Sequence, residues 1–196
     1  MAALWQMGTG SIIFAVISVL WVLSEIVFAG IIPRWRRHGA PIRYEDKGSR
    51  PLIALSMYLA LLIAFFFAVS GIASLPSVSY YVGIGLMTAG IVLRQWSIAV
   101  LGRYFSPVVG VQEGQTVVDR GPYRLVRHPA YTGYLLAIVG LGFVIQSWGA
   151  VLVLIAFFAV VFGYRIRVEE EVLTSKLGDQ YVSYSKRTKL LIPYVL

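Results

Sequence analysis

The feature that most constrains this chain is a succession of apolar runs, each long enough to cross a bilayer. A helix needs about 20 apolar residues to cross roughly 30 Å of hydrocarbon. Thr9 to Ile32 meets that length with Glu25 as its only charge, and Pro33 and the basic Arg34-Trp35-Arg36-Arg37 close it. Pro51 to Leu75 carries no charge and stops at Pro76, and Tyr80 to Leu101 is interrupted only by Arg94. Between Gly102 and Pro129 the chain turns polar and loop-like, with Gly102, Gly110, Gly114 and Gly121 and three prolines. Apolar character then persists from Ala130 to Tyr164, about 35 residues, with Gln146-Ser147-Trp148-Gly149 as its polar break. That is too long for one span and enough for two short ones. The expectation is an all-α, polytopic membrane bundle of five transmembrane helices. The short Leu75–Ser79 connection makes the second and third spans a tight antiparallel hairpin.

Composition supports this. Charged residues are 13% of the chain, about half the roughly one quarter usual in soluble proteins, while 58% is apolar and the mean hydropathy is +0.76. With no cysteine, disulfides, thiol nucleophiles and thiolate zinc sites are excluded. The net charge of +8 raises the question of nucleic acid, but the cations lie between runs of membrane length. A membrane surface is the simpler partner, and no nucleic-acid partner is expected. The first apolar run is too long, and lacks the basic flank, for a cleavable signal. No linker divides residues 1–196, so a single membrane domain is expected. Residues 1–101 supply three spans, and residues 102–196 form the candidate cofactor-binding and catalytic region with its closing hairpin.

Orientation follows from the cations, which accumulate in cytoplasmic loops. Six lie between spans one and two (Arg34, Arg36, Arg37, Arg43, Lys47, Arg50), and four between spans three and four (Arg103, Arg120, Arg124, Arg127). Six more follow span five (Arg165, Arg167, Lys176, Lys186, Arg187, Lys189), and none lies in the Leu75–Ser79 or Gln146–Gly149 turns. The N-terminus is therefore expected outside and the C-terminus in the cytoplasm.

The polar matter of the inner face is concentrated in two places. One is Gly121-Pro122-Tyr123-Arg124-Leu125-Val126-Arg127-His128-Pro129-Ala130-Tyr131-Thr132-Gly133. The other begins Arg165-Ile166-Arg167-Val168-Glu169-Glu170-Glu171 and runs to Gly178-Asp179-Gln180-Tyr181-Val182-Ser183-Tyr184. Both adjoin the closing hairpin, so topology alone makes them neighbours. No dinucleotide-binding Rossmann sheet is expected. Gly8-Thr9-Gly10 and Gly83-Ile84-Gly85 lack the third glycine and the strand–turn–helix context, and in membrane helices such glycines serve packing.

Taken together, the order Gly-Pro-Tyr-Arg-x-Val-Arg-His-Pro-x-Tyr-x-Gly, a hydrophobic hairpin, Arg-Ile-x-x-Glu-Glu-x-x-Leu and Gly-x-x-Tyr-x-x-Tyr resembles the isoprenylcysteine carboxyl methyltransferase family. The wider clan of that family includes phospholipid N-methyltransferases. The match runs from Gln112 to Pro193, a little over 40% of the chain, and the first 100 residues match only as hydrophobic spans. The resemblance implies an S-adenosyl-L-methionine-dependent membrane methyltransferase acting on a lipid-modified or lipidic small molecule, in contact with membrane lipids. Its site would face the cytoplasm, at the plasma membrane of a prokaryote or the endoplasmic reticulum of a eukaryote.

By that resemblance Gln112, the strip Gln115, Thr116, Val117 and Val118, and Tyr123, His128, Pro129, Ala130 and Tyr131 line the cofactor pocket. His128 taken alone reads as a structural hydrogen-bonder. Pro129, however, fits the first position of a helix, where no amide donor is needed. The free N–H groups and positive dipole end of that helix suit the cofactor's carboxylate. Arg165 and Glu169 are four apart, so a helix continuing from span five puts them on one face. They are either a surface ion pair or a divided pair, in which Glu169 or Glu170 takes the cofactor's amino group or ribose. In the divided reading Arg165 is the catalytic, carboxylate-holding group. Arg94 either snorkels to the interface or forms a second anion-binding group for the substrate, and Glu25, about as deep, is its candidate partner. Tyr181 and Tyr184 read as interfacial anchors, and His38 as a solvated loop residue.

A carboxylate is already ionised and a sulfonium methyl already electrophilic, so the transfer needs alignment and exclusion of water more than a general base. An amine acceptor, as in a phospholipid N-methyltransferase, would need a neutral base such as His128 or a tyrosine. A sterol-reductase-like enzyme would bind NADPH instead. A transporter would show paired repeats with broken helices at the midplane. No such repeat is evident, and the polarity is one-sided.

Overall fold

The computed structural model describes residues 9–31, 42–44 and 49–192. The Arg34–Arg37 cluster, His38 and Lys47 lie outside the described residues. The chain is mostly helical: α1 (Thr9–Ser24), α2 (Ser49–Ser70), α3 (Val78–Leu101), α4 (Pro129–Val144), α5 (Trp148–Phe157), α6 (Gly163–Leu177) and α7 (Asp179–Arg187). A π-helical stretch, Glu25–Ile31, extends α1, and another, Phe158–Phe162, joins α5 to α6. The sheet among the described residues is one antiparallel ribbon, β1 (Ile42–Tyr44) against β2 (Gly110–Gln112). It departs slightly from the all-α expectation and is nothing like a parallel nucleotide-binding sheet.

Among the described residues, three helical stretches are long and apolar enough to cross a membrane: Gly10–Phe28, Val78–Tyr104 and Trp148–Leu177. Leu55–Ser70 and Pro129–Val144 are shorter apolar helices. The last long stretch does not stop at Tyr164 but continues through Leu177. No proline intervenes, and past the π-helical stretch and Gly163 the polar Arg165–Glu171 segment stays helical, continuing from the apolar part.

The closest helix pair is α3 with α4. Gly83 and Gly90 on α3 face Gly140 and Gly133 on α4 in antiparallel register. A Cβ added at Gly83 would stand 2.6 Å from the Gly140 carbonyl oxygen, and one at Gly90 2.5 Å from that of Gly133. Between lipid-bathed helices there is little hydrophobic drive, so close backbone packing through small residues supplies the attraction. Gly85, two residues from Gly83, meets nothing within 4 Å of such a Cβ. The two glycines of that motif therefore do different things, and only Gly83 belongs to the seam.

The two cation-free turns meet at one end of the bundle. Leu75 donates its amide to the Gln146 carbonyl at 2.7 Å, and Trp148 donates to that of Ala73 at 2.7 Å. At α5 the Ser147 hydroxyl caps the helix by accepting from the Ala150 amide. The apolar core, with Ile138, Leu154, Phe157, Phe158 and Phe162 packed between α2, α4 and α5, runs from beside these turns to Tyr131 and Tyr134 near the start of α4. The polar segments lie at the far ends of the helices that leave these turns.

Gly90→Val should separate α3 from α4 and lower the unfolding midpoint in detergent, since overpacking costs about 1–3 kcal/mol. Gly85→Ala should hold or raise it, since alanine outranks glycine in a helix by roughly 1 kcal/mol. Equal effects at the two positions would contradict the seam.

Candidate active site

At the polar end, the start of α4 sets the geometry. His128 is its N-cap residue and Pro129 its first helical residue, with the Tyr131 and Thr132 amides turned back to the His128 carbonyl. The preceding loop reaches this point through a short 3₁₀ turn at Gly121–Arg124. It is clasped from the C-terminal side: Arg127 and His128 donate their amides to the carbonyls of Lys189 (2.7 Å) and Leu190 (3.1 Å). The Thr132 hydroxyl reaches the Leu191 carbonyl at 2.6 Å.

Beneath this clasp, one carboxylate oxygen collects three donors. Glu170 Oε1 lies 2.7 Å from His128 Nε2, 3.2 Å from Arg127 Nε and 2.5 Å from the Tyr181 hydroxyl. The Arg127 guanidinium also caps α7 through the carbonyls of Ser185 (2.9 Å) and Thr188 (2.8 Å). Tyr184 donates to the Tyr123 carbonyl at 2.7 Å. Burial pushes the Tyr181 hydroxyl well above its ordinary range, and its bond to Glu170 adds to the shift. Burial raises Tyr123 and Tyr184 as well. All three stay protonated at neutral pH, as the Tyr181 and Tyr184 bonds require.

On the other side of the first turn of α4 a cavity opens, with about 900 Å³ of open space counting the solvent at its mouth. Arg165 points into it although it is only 5% exposed. Its Nε donates to the Tyr131 hydroxyl at 2.8 Å, and an Nη donates to the Pro107 carbonyl at 2.8 Å. Tyr131 in turn donates to Glu169 Oε2 at 2.7 Å. One phenol thus joins the two residues that the helical spacing places on one face. A surface ion pair would not be buried this deeply.

Of the residues singled out from the sequence, Gln115, Thr116, Val117, Val118, Tyr123, His128, Ala130, Tyr131, Arg165 and Glu169 line this cavity. Gln112, Pro129, Glu170 and Arg94 are not among its lining residues. Gln112 is buried, and its amide nitrogen donates to the Arg103 carbonyl at 2.6 Å, which ties the loop to the end of α3. Pro129 is packed into the helix start. Between the two glutamates, Glu169 faces the cavity and Glu170 holds the clasp. Arg94 forms a bidentate ion pair with Glu25, Nε to Oε1 at 2.5 Å and Nη2 to Oε2 at 2.8 Å.

Other lining residues were not expected at the cavity from the sequence. Phe105, Val108 and Val109, just after α3, form one wall, and Val109 packs on Val168 and Val172 of α6. Leu173 and Leu177 extend that wall along α6. Tyr181 and Tyr184, expected as interfacial anchors, are buried at 4% and 2% exposure and close the far side. A signal existed for the tyrosines: their i, i+3 spacing in an otherwise polar helix marks the one face that can be buried.

Comparison with known proteins fits this geometry. The sequence profile of the isoprenylcysteine carboxyl methyltransferase family matches residues 83–175. Protein-S-isoprenylcysteine O-methyltransferase B of Arabidopsis thaliana is 30% identical over 154 residues, covering 74% of this chain and 77% of that one. The chain belongs to the isoprenylcysteine carboxyl methyltransferase family. The cobalt-zinc-cadmium resistance protein CzcN of Cupriavidus metallidurans is 35% identical over 98 residues, 50% of this chain and 45% of that one. A solved structure of a eukaryotic intramembrane Ras methyltransferase superposes with a TM-score of 0.65 at 20% identity, covering 97% of this chain and 70% of that one. That likeness concerns the fold. With its apolar helices, family membership makes the chain an integral, multi-pass membrane protein of a methyltransferase class.

Glu170→Ala strips three donors of their common acceptor and should destabilise the fold by about 2–3 kcal/mol. Glu169→Ala should destabilise it less. Thermal unfolding of the two variants side by side checks the order, and the reverse order would contradict the division of labour.

Proposed function

We propose that this protein transfers a methyl group from S-adenosyl-L-methionine to the carboxylate of a lipid-modified, isoprenylcysteine-like acceptor at the cytoplasmic membrane face. The observation that carries this reading is the buried Arg165 guanidinium joined to Glu169 through Tyr131, in one cavity at the N-terminus of α4. The donor set suits the cofactor. Glu169 offers an anionic acceptor to an ammonium or ribose hydroxyl, the first turn of α4 presents its positive end to a carboxylate, and Val108, Val117 and Leu173 supply apolar wall. When bound, the cofactor supplies an electrophilic methyl group on a sulfonium.

The residues of this chain would then hold and orient. Arg165 fixes the acceptor carboxylate, its planar fork matching two oxygens. Tyr131 keeps the Arg165 and Glu169 side chains in one geometry, so alignment is set before the acceptor arrives. The Tyr181 and Tyr184 wall shields the cavity from bulk water. His128, the base an amine acceptor would call for, has Nε2 turned to Glu170. That favours an acceptor that needs no deprotonation.

In this reading the helices make five spans, with α2 and α4 the short ones. The cation-bearing segments lie in the cytoplasm and the Leu75–Ser79 and Gln146–Gly149 turns outside. The lipid tail of the acceptor stays in hydrocarbon while its headgroup meets a cytosolic cofactor.

Calorimetry on detergent-solubilised protein should register S-adenosyl-homocysteine and not NADPH; the opposite result would point to a reductase. His128→Ala and Glu169→Ala should each weaken that binding, at about 1.5–3 kcal/mol per charge-assisted hydrogen bond lost. Arg165→Lys should leave cofactor affinity nearly unchanged while methylation slows about tenfold or more, equivalent to about 1.4 kcal/mol per decade. An enzyme that methylates an amine and tolerates Arg165→Lys would overturn the carboxylate assignment.

The chain has no cysteine, so topology can be read from single introduced thiols. Ser77→Cys should react with an impermeant maleimide on intact cells and Ser183→Cys should not. Labelling the other way round would invert the bundle.

A further inference from the structure

The Arg94–Glu25 ion pair lies outside the cavity, and the reaction described above makes no use of it. It is costly to place in an apolar bundle, because charges at membrane depth require a partner and breaking such a pair strands the other charge. Both groups are well sheltered, the side chains of Arg94 and Glu25 being 13% and 28% exposed. The pair is reinforced from α3 by Gln95, whose amide nitrogen donates to the Ser24 hydroxyl at 2.9 Å and to Glu25 Oε1 at 3.2 Å. The α-helix of α1 gives way to its π-helical stretch at Glu25 itself. Such stretches often coincide with functional positions.

Two further contacts carry the pair toward the site. Arg94 Nη1 donates to the Ala130 carbonyl at 3.3 Å, in the first turn of α4. The guanidinium carbon also stands 5.3 Å from the centre of the Tyr134 ring, one helical turn further along. Ala130 itself lines the cavity, between His128 and Tyr131. Elsewhere α1 touches the bundle through Trp21, which packs against the core and edge-on to Tyr134. None of the described residues of α1 is buried, and at the other end the Tyr80 hydroxyl donates to the Gly10 carbonyl.

We propose that Arg94 is a positioning residue: braced by Glu25 of α1, its guanidinium holds the Ala130 carbonyl and so sets the first turn of α4 against the cofactor cavity. The guanidinium is fitted to this task in a way that an ammonium is not. Its planar fork engages both Glu25 oxygens with Nε and Nη2 while Nη1 points elsewhere. A lysine at the same position can keep the charge pair but cannot reach the carboxylate and the carbonyl together. It follows that α1, far from the cavity in sequence, acts on cofactor binding through this ion pair, with Trp21 packed edge-on against Tyr134 beside it.

This inference rests on the cofactor reading above, so the test carries two readouts. The first is S-adenosyl-homocysteine affinity of Arg94→Lys, Glu25→Gln and the double variant. The second is hydrogen–deuterium exchange at the Ala130–Tyr134 amides in ligand-free protein, which does not depend on what the cavity binds. Arg94→Lys should retain the wild-type unfolding midpoint, weaken affinity about tenfold, as expected for one lost charge-assisted hydrogen bond, and speed exchange in the first turn of α4 alone. Glu25→Gln should fall between wild type and Arg94→Lys. The double variant should be no weaker than Arg94→Lys, because the two residues act as one unit. First-turn exchange and affinity both at the wild-type level in Arg94→Lys would overturn the proposal. So would losses that follow a drop in global stability, which would make the pair a structural brace only. If Arg94→Lys fails to fold, Glu25→Gln decides: faster exchange confined to the first turn of α4 supports the proposal, and unchanged first-turn exchange overturns it. If the wild-type protein binds no S-adenosyl-homocysteine, the cofactor reading falls, and the exchange pattern alone still decides whether Arg94 sets the turn.

Discussion

The rest of the structure depends on how closely α3 approaches α4. Four glycines, Gly83 and Gly90 against Gly140 and Gly133, let the two backbones meet where any Cβ would collide. In a bilayer the apolar surfaces of helices gain little by leaving lipid for one another, so this contact does what a hydrophobic core does in water. It fixes the start of α4 relative to the end of α3. The loop between them must then return over a set distance, and in doing so it walls the cavity with residues of the 105–118 stretch. The same approach brings Arg94 within reach of the Ala130 carbonyl.

A second constraint shapes the polar end. A helix start and the segment that follows α7 are brought together there, and both carry backbone groups that must be satisfied. The clasp of Arg127, His128, Glu170 and Tyr181 does this for the α4 and α7 ends together. Glu170 is therefore committed to structure, and its neighbour Glu169, about 100° further round the helix, is left for the cavity. Two adjacent carboxylates with the same chemistry differ in role because the helix turns them to different neighbours.

Much of this was legible beforehand in particular residues. The apolar runs and the cation-free turns implied two hairpins with their tips at one end, and the hydrogen bonds from Leu75 and Trp148 join those tips. The i, i+4 spacing of Arg165 and Glu169 placed them together on a helix continuing past the apolar run. Glu25 and Arg94, the lone charges of their spans, were natural partners. Less legible was the ribbon pairing Ile42–Tyr44 with Gly110–Gln112, because three-residue strands leave no periodic trace. Burial of Tyr181 and Tyr184 was missed because a polar nine-residue helix reads as solvated until something is known to cover it.

What the sequence determined by itself was whatever the solvent dictates: which segments are long, apolar and helical, where they turn, which end carries charge, and which side chains share a helix face. These follow from local length, period and composition. The tertiary structure alone decided which partner each polar group found. Glu169 and Glu170 are chemically identical neighbours, either of which could have faced the cofactor, and Arg94 is as suited to an anion in the cavity as to a strut behind it. The choice was made by where Glu25, His128 and Tyr131 stand. Those positions depend on backbones packed within a few ångströms at the glycine seam, a contact set by two segments about 50 residues apart.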